Sequence, residues 1–263
     1  ASSPTNRYVV IVGGVNIWRS TNGGTSWSMN AHWYGGCSVD YVHADQHDLV
    51  FLPGSGTTYF SGCDGGIFKT TNSGTNWSDL SSNLQIAQMY RLGLSATNVN
   101  LALSGWQDNG TNSWNGTSWS AEMGGDGMLA FVSWNNNNNM WGSQYNGSLN
   151  RTTNGGTSWG AMSGITETCP WVTEWNEDPI TAGTVYAGCA NVWKATAGTF
   201  TKLTGNLAGT STVTISSIAV SPASNQVIYA AKGGLYKTTN GGTSWTALTS
   251  LPSGFISDII CHP

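Results

Sequence analysis

An eight-residue turn returns through the chain almost letter for letter, and it constrains the fold more than any other feature. Residues 20–27 read STNGGTSW, 70–77 read TTNSGTNW, and both 152–159 and 238–245 read TTNGGTSW. A worn copy, NSWNGTSW, occupies 112–119, and a shorter one, ATAGTF, occupies 195–200. The aromatic markers Trp27, Trp77, Trp119, Trp159, Phe200 and Trp245 are spaced by 50, 42, 40, 41 and 45 residues. A period in the forties with several short strands per unit is the signature of propeller blades. In the last unit, 215–220 reads as an apolar inner strand, 221–225 as a turn and 227–230 as a second strand. Gly233 and Gly234 form a tight turn, 235–238 a third strand and 244–248 a short outer strand. Gly, Pro and Asn clusters bound each run, as they bound strands generally. The expected fold is therefore all-β: a six-bladed β-propeller of four-stranded blades, occupying 1–263 as a single domain. A seven-bladed ring, or a fragment of a larger propeller, is the alternative.

The two ends fit that reading. Residues 1–6 read as a first turn and 8–12 as a second strand, so the first unit lacks an inner strand. Residues 255–263 read as an inner strand with nothing after it. Pairing this C-terminal strand into the first blade is expected to close the ring, which removes sheet edges that invite aggregation.

Composition excludes several classes of partner. Charged residues are 8% of the 263, against roughly 25% in an average soluble domain. Nine Lys and Arg against 13 Asp and Glu leave a net charge of -4. So few cations cannot track a phosphate backbone, so no nucleic acid partner is expected. Fourteen Trp are incompatible with a disordered chain. No apolar run approaches the ~20 residues of a membrane helix, so membrane insertion is not expected.

The repeated element, Ser20-x-Asn22-x-Gly24-x-Ser26-Trp27, resembles the Asp-box, or BNR repeat, with Asn at the Asp position. The resemblance covers nearly the whole chain through six copies. That superfamily contains sialidases, xyloglucan-cleaving glycoside hydrolases, sortilin-type receptors and a photosystem assembly factor. All are propellers, so the resemblance implies the fold and leaves the function open. The segments at 43–48 (HADQHD), 63–66 (CDGG), 107–110 (QDNG) and 124–127 (GGDG) are similar to sortilin-like propeller modules of large secreted bacterial surface proteins. In that setting the module implies binding or adhesion. The repeated turn itself reads as structural: Asn caps its own turn, Gly supplies positive φ, and Trp packs between blades.

In a propeller, the entrances to the inner strands share a face with the turns between second and third strands. The marker turns take the opposite face. Aligning units on the Pro after the inner strand, with Pro53 to Cys63 and Pro179 to Cys189 both ten residues, places Asp45, Gln88 and Asp126 at inner-strand entrances. Asp64 and Asp108 fall in the second turn. The expected ligand-binding set at the channel mouth is His43, Asp45, His47, Asp64, Trp106, Gln107, Asp108 and Asp126. If extended, His43-x-Asp45-x-His47 directs three side chains to one side. Two imidazoles and a carboxylate suit Zn²⁺ or another borderline metal. Carboxylates from neighbouring blades would instead suit Ca²⁺. Polar contacts inside a wet channel account for the same residues without any cofactor, and none is required.

An enzymatic reading rests on the same carboxylates. Two of them across a cleft hydrolyse a glycoside, one as acid and one as base, and Asp45 and Asp126 are the candidate pair. The competing reading has each Asp capping a Gly-rich turn. Xyloglucan-cleaving relatives use a cleft between two propellers, whereas this chain supplies one. Sialidase chemistry uses three Arg, and the chain has only Arg7, Arg19, Arg91 and Arg151. Arg19 and Arg151 stand where Lys69 and Lys237 stand on the marker strand, a structural position. No Ser/His/Asp hydrolase motif is visible. Trp33, Trp106, Trp114, Trp134, Trp141, Trp171, Trp175 and Trp193 lie outside the repeat position. Most are expected between blades. Trp106, beside Gln107 and Asp108, is the one expected to face the mouth, stacking on a sugar or anchoring a protein.

Five Cys leave one over. Cys63 and Cys189 occupy equivalent ends of second strands, and Cys37 and Cys169 precede the inner strands of the same two units. The expected pairs are Cys37–Cys63 and Cys169–Cys189, with Cys261 free and buried. Matching pairs favour an oxidising compartment, hence a secreted or cell-surface location. The function expected is a binding or adhesion module, non-catalytic, with a protein or polysaccharide partner at a cell surface. A carbohydrate-binding protein or glycoside hydrolase working at the Asp/His-rich mouth is one alternative. An assembly-factor-like protein scaffold is the other.

Overall fold

The computed structural model describes residues 1–84, 86–203, 207, 212–250 and 254–261. The chain divides into two compact units, Ala1–Ile86 and Ala87–Pro263. In both, the strands among the described residues form antiparallel meanders, each sheet taking its strands in chain order. The first unit has two sheets. One holds β1 (Val10–Gly13), β2 (Ile17–Ser20) and β3 (Ser28–Ala31). The other holds β4 (Gln46–Phe51), β5 (Tyr59–Cys63), β6 (Gly66–Thr70) and β7 (Ser78–Asp79).

The second unit has four sheets of four strands. Its first sheet holds β8 (Met89–Leu94), β9 (Ala102–Trp106), β10 (Gly110–Trp114) and β11 (Trp119–Met123). The next holds β12 (Ala130–Val132), β13 (Met140–Ser143), β14 (Leu149–Thr152) and β15 (Gly160–Ala161). The third holds β16 (Glu174–Glu177), β17 (Val185–Gly188), β18 (Val192–Ala195) and β19 (Phe200–Lys202). The last holds β20 (Ser217–Ser221), β21 (Ser224–Ala231), β22 (Leu235–Thr238) and β23 (Thr246–Leu248). Six sheets match six repeat units. β13 and β17 are fully enclosed, all four residues of each being buried, because both faces of these strands are covered. Trp141, Trp175, Trp193 and Phe200 make one core cluster of this unit, and Tyr186, Ile215, Ile218 and Ile228 another.

The marker turn is built the same way four times. In the first copy Ser20 Oγ accepts the Gly24 N–H at 2.9 Å and donates to Asn22 Oδ1 at 2.9 Å. Asn22 Oδ1 accepts the Ser26 N–H at 2.9 Å, and its Nδ2 donates to Ser26 Oγ at 2.8 Å. The same bonds recur about Asn72, Asn154 and Asn240. Trp77, Trp159 and Trp245 then pack against core clusters. Trp27 departs from expectation: it is 41% exposed, and its Nε1 donates to the Gly24 carbonyl. On the third strands a cation lies over the aromatic ring opposite it. Lys69 sits 5.7 Å from the Phe60 centroid, Lys194 5.3 Å from Tyr186 and Lys237 5.4 Å from Tyr229. Arg151 faces Trp141 in the equivalent register, which explains the Arg and Lys at these positions as cross-strand packing.

Three expectations are corrected. The first sheet has three strands, and residues 254–261 carry no strand to complete it; residues 262–263 lie outside the described residues. The free edge of β1 is met by the chain's own start, where Ala1 and Ile11 exchange two hydrogen bonds at 2.8 and 2.9 Å. The C-terminal segment is tied within its own unit: Ser216 Oγ donates to the Ile256 carbonyl at 2.7 Å and Ser217 Oγ to Asp258 at 3.4 Å. Of the expected disulfides, Cys169–Cys189 is formed, while Cys37, Cys63 and Cys261 are free. Cys37 sits on a loop that closes on itself, with His32 N–H bonded to Asp40 O and Val42 N–H to His32 O. That closure leaves Cys37 exposed, with a φ of 58°, and no bridge to Cys63 forms. Cys261 is half-buried, not buried.

Candidate functional site

In the first unit the expected metal triad does not assemble. Asp45 takes a φ of 60°, in the left-handed region, so the alternation that would aim His43, Asp45 and His47 together is broken. His43 and His47 do not share a group of ligand atoms with Asp45 within 4.8 Å. His47 Nε2 bonds Asp64 Oδ1 instead. The His43 ring covers Gly65, where a Cβ would meet its Cγ at 2.3 Å. Asp45 and Asp64 do approach, each offering a carboxylate oxygen within 4.8 Å of the other.

In the second unit the expected residues gather, but as a backbone lock. Asp126 Oδ1 accepts the Asp108 N–H at 2.9 Å. Gly110 N–H donates to Gly125 O at 2.7 Å, and Gly127 N–H to Trp106 O at 3.0 Å. The two Gly-rich segments approach so closely that a Cβ on Gly127 would lie 2.1 Å from Gly110 O, and one on Gly105 1.8 Å from Met128 O. This is turn capping, and it engages the candidate acid Asp126. Trp106 does not serve as an open platform. Its ring packs edge-on against Trp119 at 5.2 Å, and its buried Nε1 finds no acceptor among the described residues.

An exposed aromatic pair lies elsewhere in the same unit. Tyr145 and Trp171 stack with ring centroids 5.0 Å apart and planes 9° apart, while 45% and 48% of each residue stays exposed. Trp171 Nε1 donates to Tyr90 Oη at 3.3 Å, and Tyr90 Oη donates to Gln107 Oε1 at 3.1 Å. Asn146 N–H donates to the Trp171 carbonyl at 3.1 Å. Gly147, at a φ of 82°, lies against the disulfide, where a Cβ would meet Cys169 Sγ at 2.5 Å. Arg91, next to Tyr90 in the chain, pairs with Glu174 at 3.6 Å. Burial pushes the Glu174 carboxyl up; Arg91 opposes the shift, and Asp258 adds to it.

Of the residues singled out from sequence, Gln107 belongs to this group, and Trp171 was recognised only as a tryptophan outside the repeat. The sequence does not single out Tyr90, Tyr145 or Glu174, and Arg91 stands out only as one of four arginines. Position held the signal: Tyr145 occupies the turn between β13 and β14, equivalent to the turns of Asp64 and Asp108. Trp171 precedes β16, as Asp126 precedes β12.

No family model matches the chain, and no curated protein matches it. Solved structures are similar to it. The extracellular domain of the one component system BT4673 from B. thetaiotaomicron matches 96% of the chain at 14% identity, with a TM-score of 0.53. The GH74 xyloglucanase from Xanthomonas campestris matches 95% at 12% identity, with a TM-score of 0.50. An ancestral GH74 enzyme matches 97% at 19% identity, with a TM-score of 0.38. The chain spans 34%, 53% and 31% of their respective lengths. The first two identify the fold type as a β-propeller.

Proposed function

We propose that this chain is a non-catalytic binding module that works outside the cell, in a secreted or surface-displayed protein, as an adhesion-type propeller of the Asp-box kind. The observation that carries the reading is the half-exposed Tyr145–Trp171 pair, braced by Tyr90 and Gln107. A rigid aromatic pair with polar neighbours is the composition of a recognition surface. The nearby carboxylates are already engaged, Asp126 by a backbone N–H and Glu174 by Arg91, which argues against an acid/base pair. The Cys169–Cys189 bridge suits an oxidising compartment, and one similar solved structure is an extracellular domain.

The test is a screen of the immobilised chain against arrayed polysaccharides and extracellular proteins, with released sugar measured in the same wells and a chelator present in parallel. The expected result is retention of at least one ligand, with or without chelator, and no release. Sugar release abolished by Asp126→Asn would make the chain a hydrolase. Retention lost on chelation would restore a metal.

A further inference from the structure

We propose that the Tyr145–Trp171 pair is a stacking site for a neutral pyranose ring of a polysaccharide, with the Gln107 carboxamide taking its hydroxyl groups. This rests on the binding reading above and names the ligand. Each ring covers one face of the other, so the exposure that remains at Tyr145 and Trp171 is available to a third flat body. An aromatic face carries negative quadrupole charge, which suits the C–H face of a sugar. The Trp171 ring is already fixed, and Tyr145 stacks on it. Trp171 is held through its Nε1 by Tyr90, and Tyr90 by Gln107, so little side-chain freedom is lost when the ring is covered. Gln107 accepts through Oε1, and its amide nitrogen makes no side-chain bond to the described residues, which leaves a donor for a hydroxyl.

The surroundings select against other ligands. Arg91, adjacent to Tyr90 in the chain, is paired with Glu174, and Asp258 adds negative charge near Glu174. An anionic sugar would meet the Glu174 carboxylate and, in Arg91, a cation that is already paired. A protein partner needs roughly 800 Å² on each side. Two half-exposed aromatic residues offer roughly 200 Å² together, well short of that.

The experiment measures retention of the whole chain on a neutral β-glucan, a galactomannan and a xylan, with polygalacturonate and heparin as anionic counterparts. An extracellular protein array runs alongside. Trp171→Ala and Tyr145→Leu are compared with the parent, each first shown to melt at the parent temperature, and Trp33→Ala serves as a control in the other unit. If Trp171→Ala does not fold, Trp171→Phe replaces it. The expected result is retention on at least one neutral polymer and not on the anionic ones. It should weaken about tenfold or more in Trp171→Ala, fall in Tyr145→Leu and stay unchanged in Trp33→Ala. Neutral retention that survives both site variants, or retention on anionic polymers alone, overturns the proposal. A protein ligand lost in Trp171→Ala, with no polymer retained, overturns the sugar and keeps the binding module. No ligand on any surface defeats both.

Discussion

At the scale of the residue, the marker turn shows how much of this fold is local chemistry. Its Asn accepts one backbone N–H and binds the side chain four residues on, so no tertiary contact is needed to specify it. One copy is imperfect. Ser73 holds a φ of 61° where Gly23, Gly155 and Gly241 stand in the other turns. A side chain at positive φ costs roughly 1–2 kcal/mol, partly offset by the greater freedom of Gly in the unfolded chain. Ser73→Gly should therefore stabilise by up to about 1 kcal/mol. Chemical denaturation measures it, and a loss of stability would mean that the Ser73 side chain contributes more than its backbone costs. The QDNG and GGDG segments make the opposite case. Gly127 lies too close to Gly110 O for any Cβ, so Gly127→Ala has to force two backbones apart. It should cost about 3 kcal/mol, the upper end of the range for backbone strain, or prevent folding. Gly160→Ala, with nothing within 4 Å of its Cβ, should change stability little. Equal losses in the two variants would refute the close-approach account.

Among the elements, the disulfide and the segment it anchors connect packing to the candidate site. Cys169 and Cys189 are 20 residues apart, and closing such a loop contributes about 3 kcal/mol. Glu167, two residues before Cys169, accepts bonds from Asn191 N–H at 2.6 Å, Asn191 Nδ2 at 2.9 Å and Trp193 Nε1 at 2.7 Å. Bridge and carboxylate together pin the segment that leads to Trp171. The double variant Cys169→Ser/Cys189→Ser should lose about 3 kcal/mol in denaturant titrations and also bind ligand more weakly through Trp171. Unchanged binding would show that Trp171 is held by Tyr90 and Tyr145 alone. The pairing was legible because Cys169 and Cys189 bracket one hairpin at a short separation. Its supposed counterpart failed because Cys37 sits on a loop closed by the hydrogen bonds of its own ends, information that residue spacing does not carry. The His43–His47 triad failed for a related reason: one residue, Asp45, leaves the extended region, and period two is lost with it.

For the whole molecule, six turns foretold six sheets, since each turn and its flanking strands are specified within some forty residues. The C-terminal strand was not foretold correctly, because its partner is distant in sequence and an apolar run fits several edges equally well. The aromatic pair stayed hidden among 14 Trp until neighbouring sheets were assembled. The scarcity of charged residues also governs the response to pH. With 13 acidic groups in the chain, few carboxylates can make stability depend on pH, and two of them oppose each other. Burial raises the Glu167 carboxyl, but bonds from Trp193 and Asn191 and the charge of Lys202 outweigh it and hold it below its ordinary value of 4.5. Its contribution is present above that value and is lost as pH falls through the lowered one. Glu174 is raised above 4.5 by burial, with Arg91 opposing, so its protonated form is favoured in the folded chain and stability declines as pH rises through its folded value. Glu167→Gln should therefore be less stable than the parent at neutral pH, the gap closing in acid. Glu174→Gln should gain on the parent as pH rises from about 4 to about 7. Urea titrations of all three proteins across that range decide the matter. Parallel curves would mean that neither carboxylate is coupled to folding, and a gap for Glu167→Gln that widens in acid would reverse the sign assigned to its hydrogen bonds.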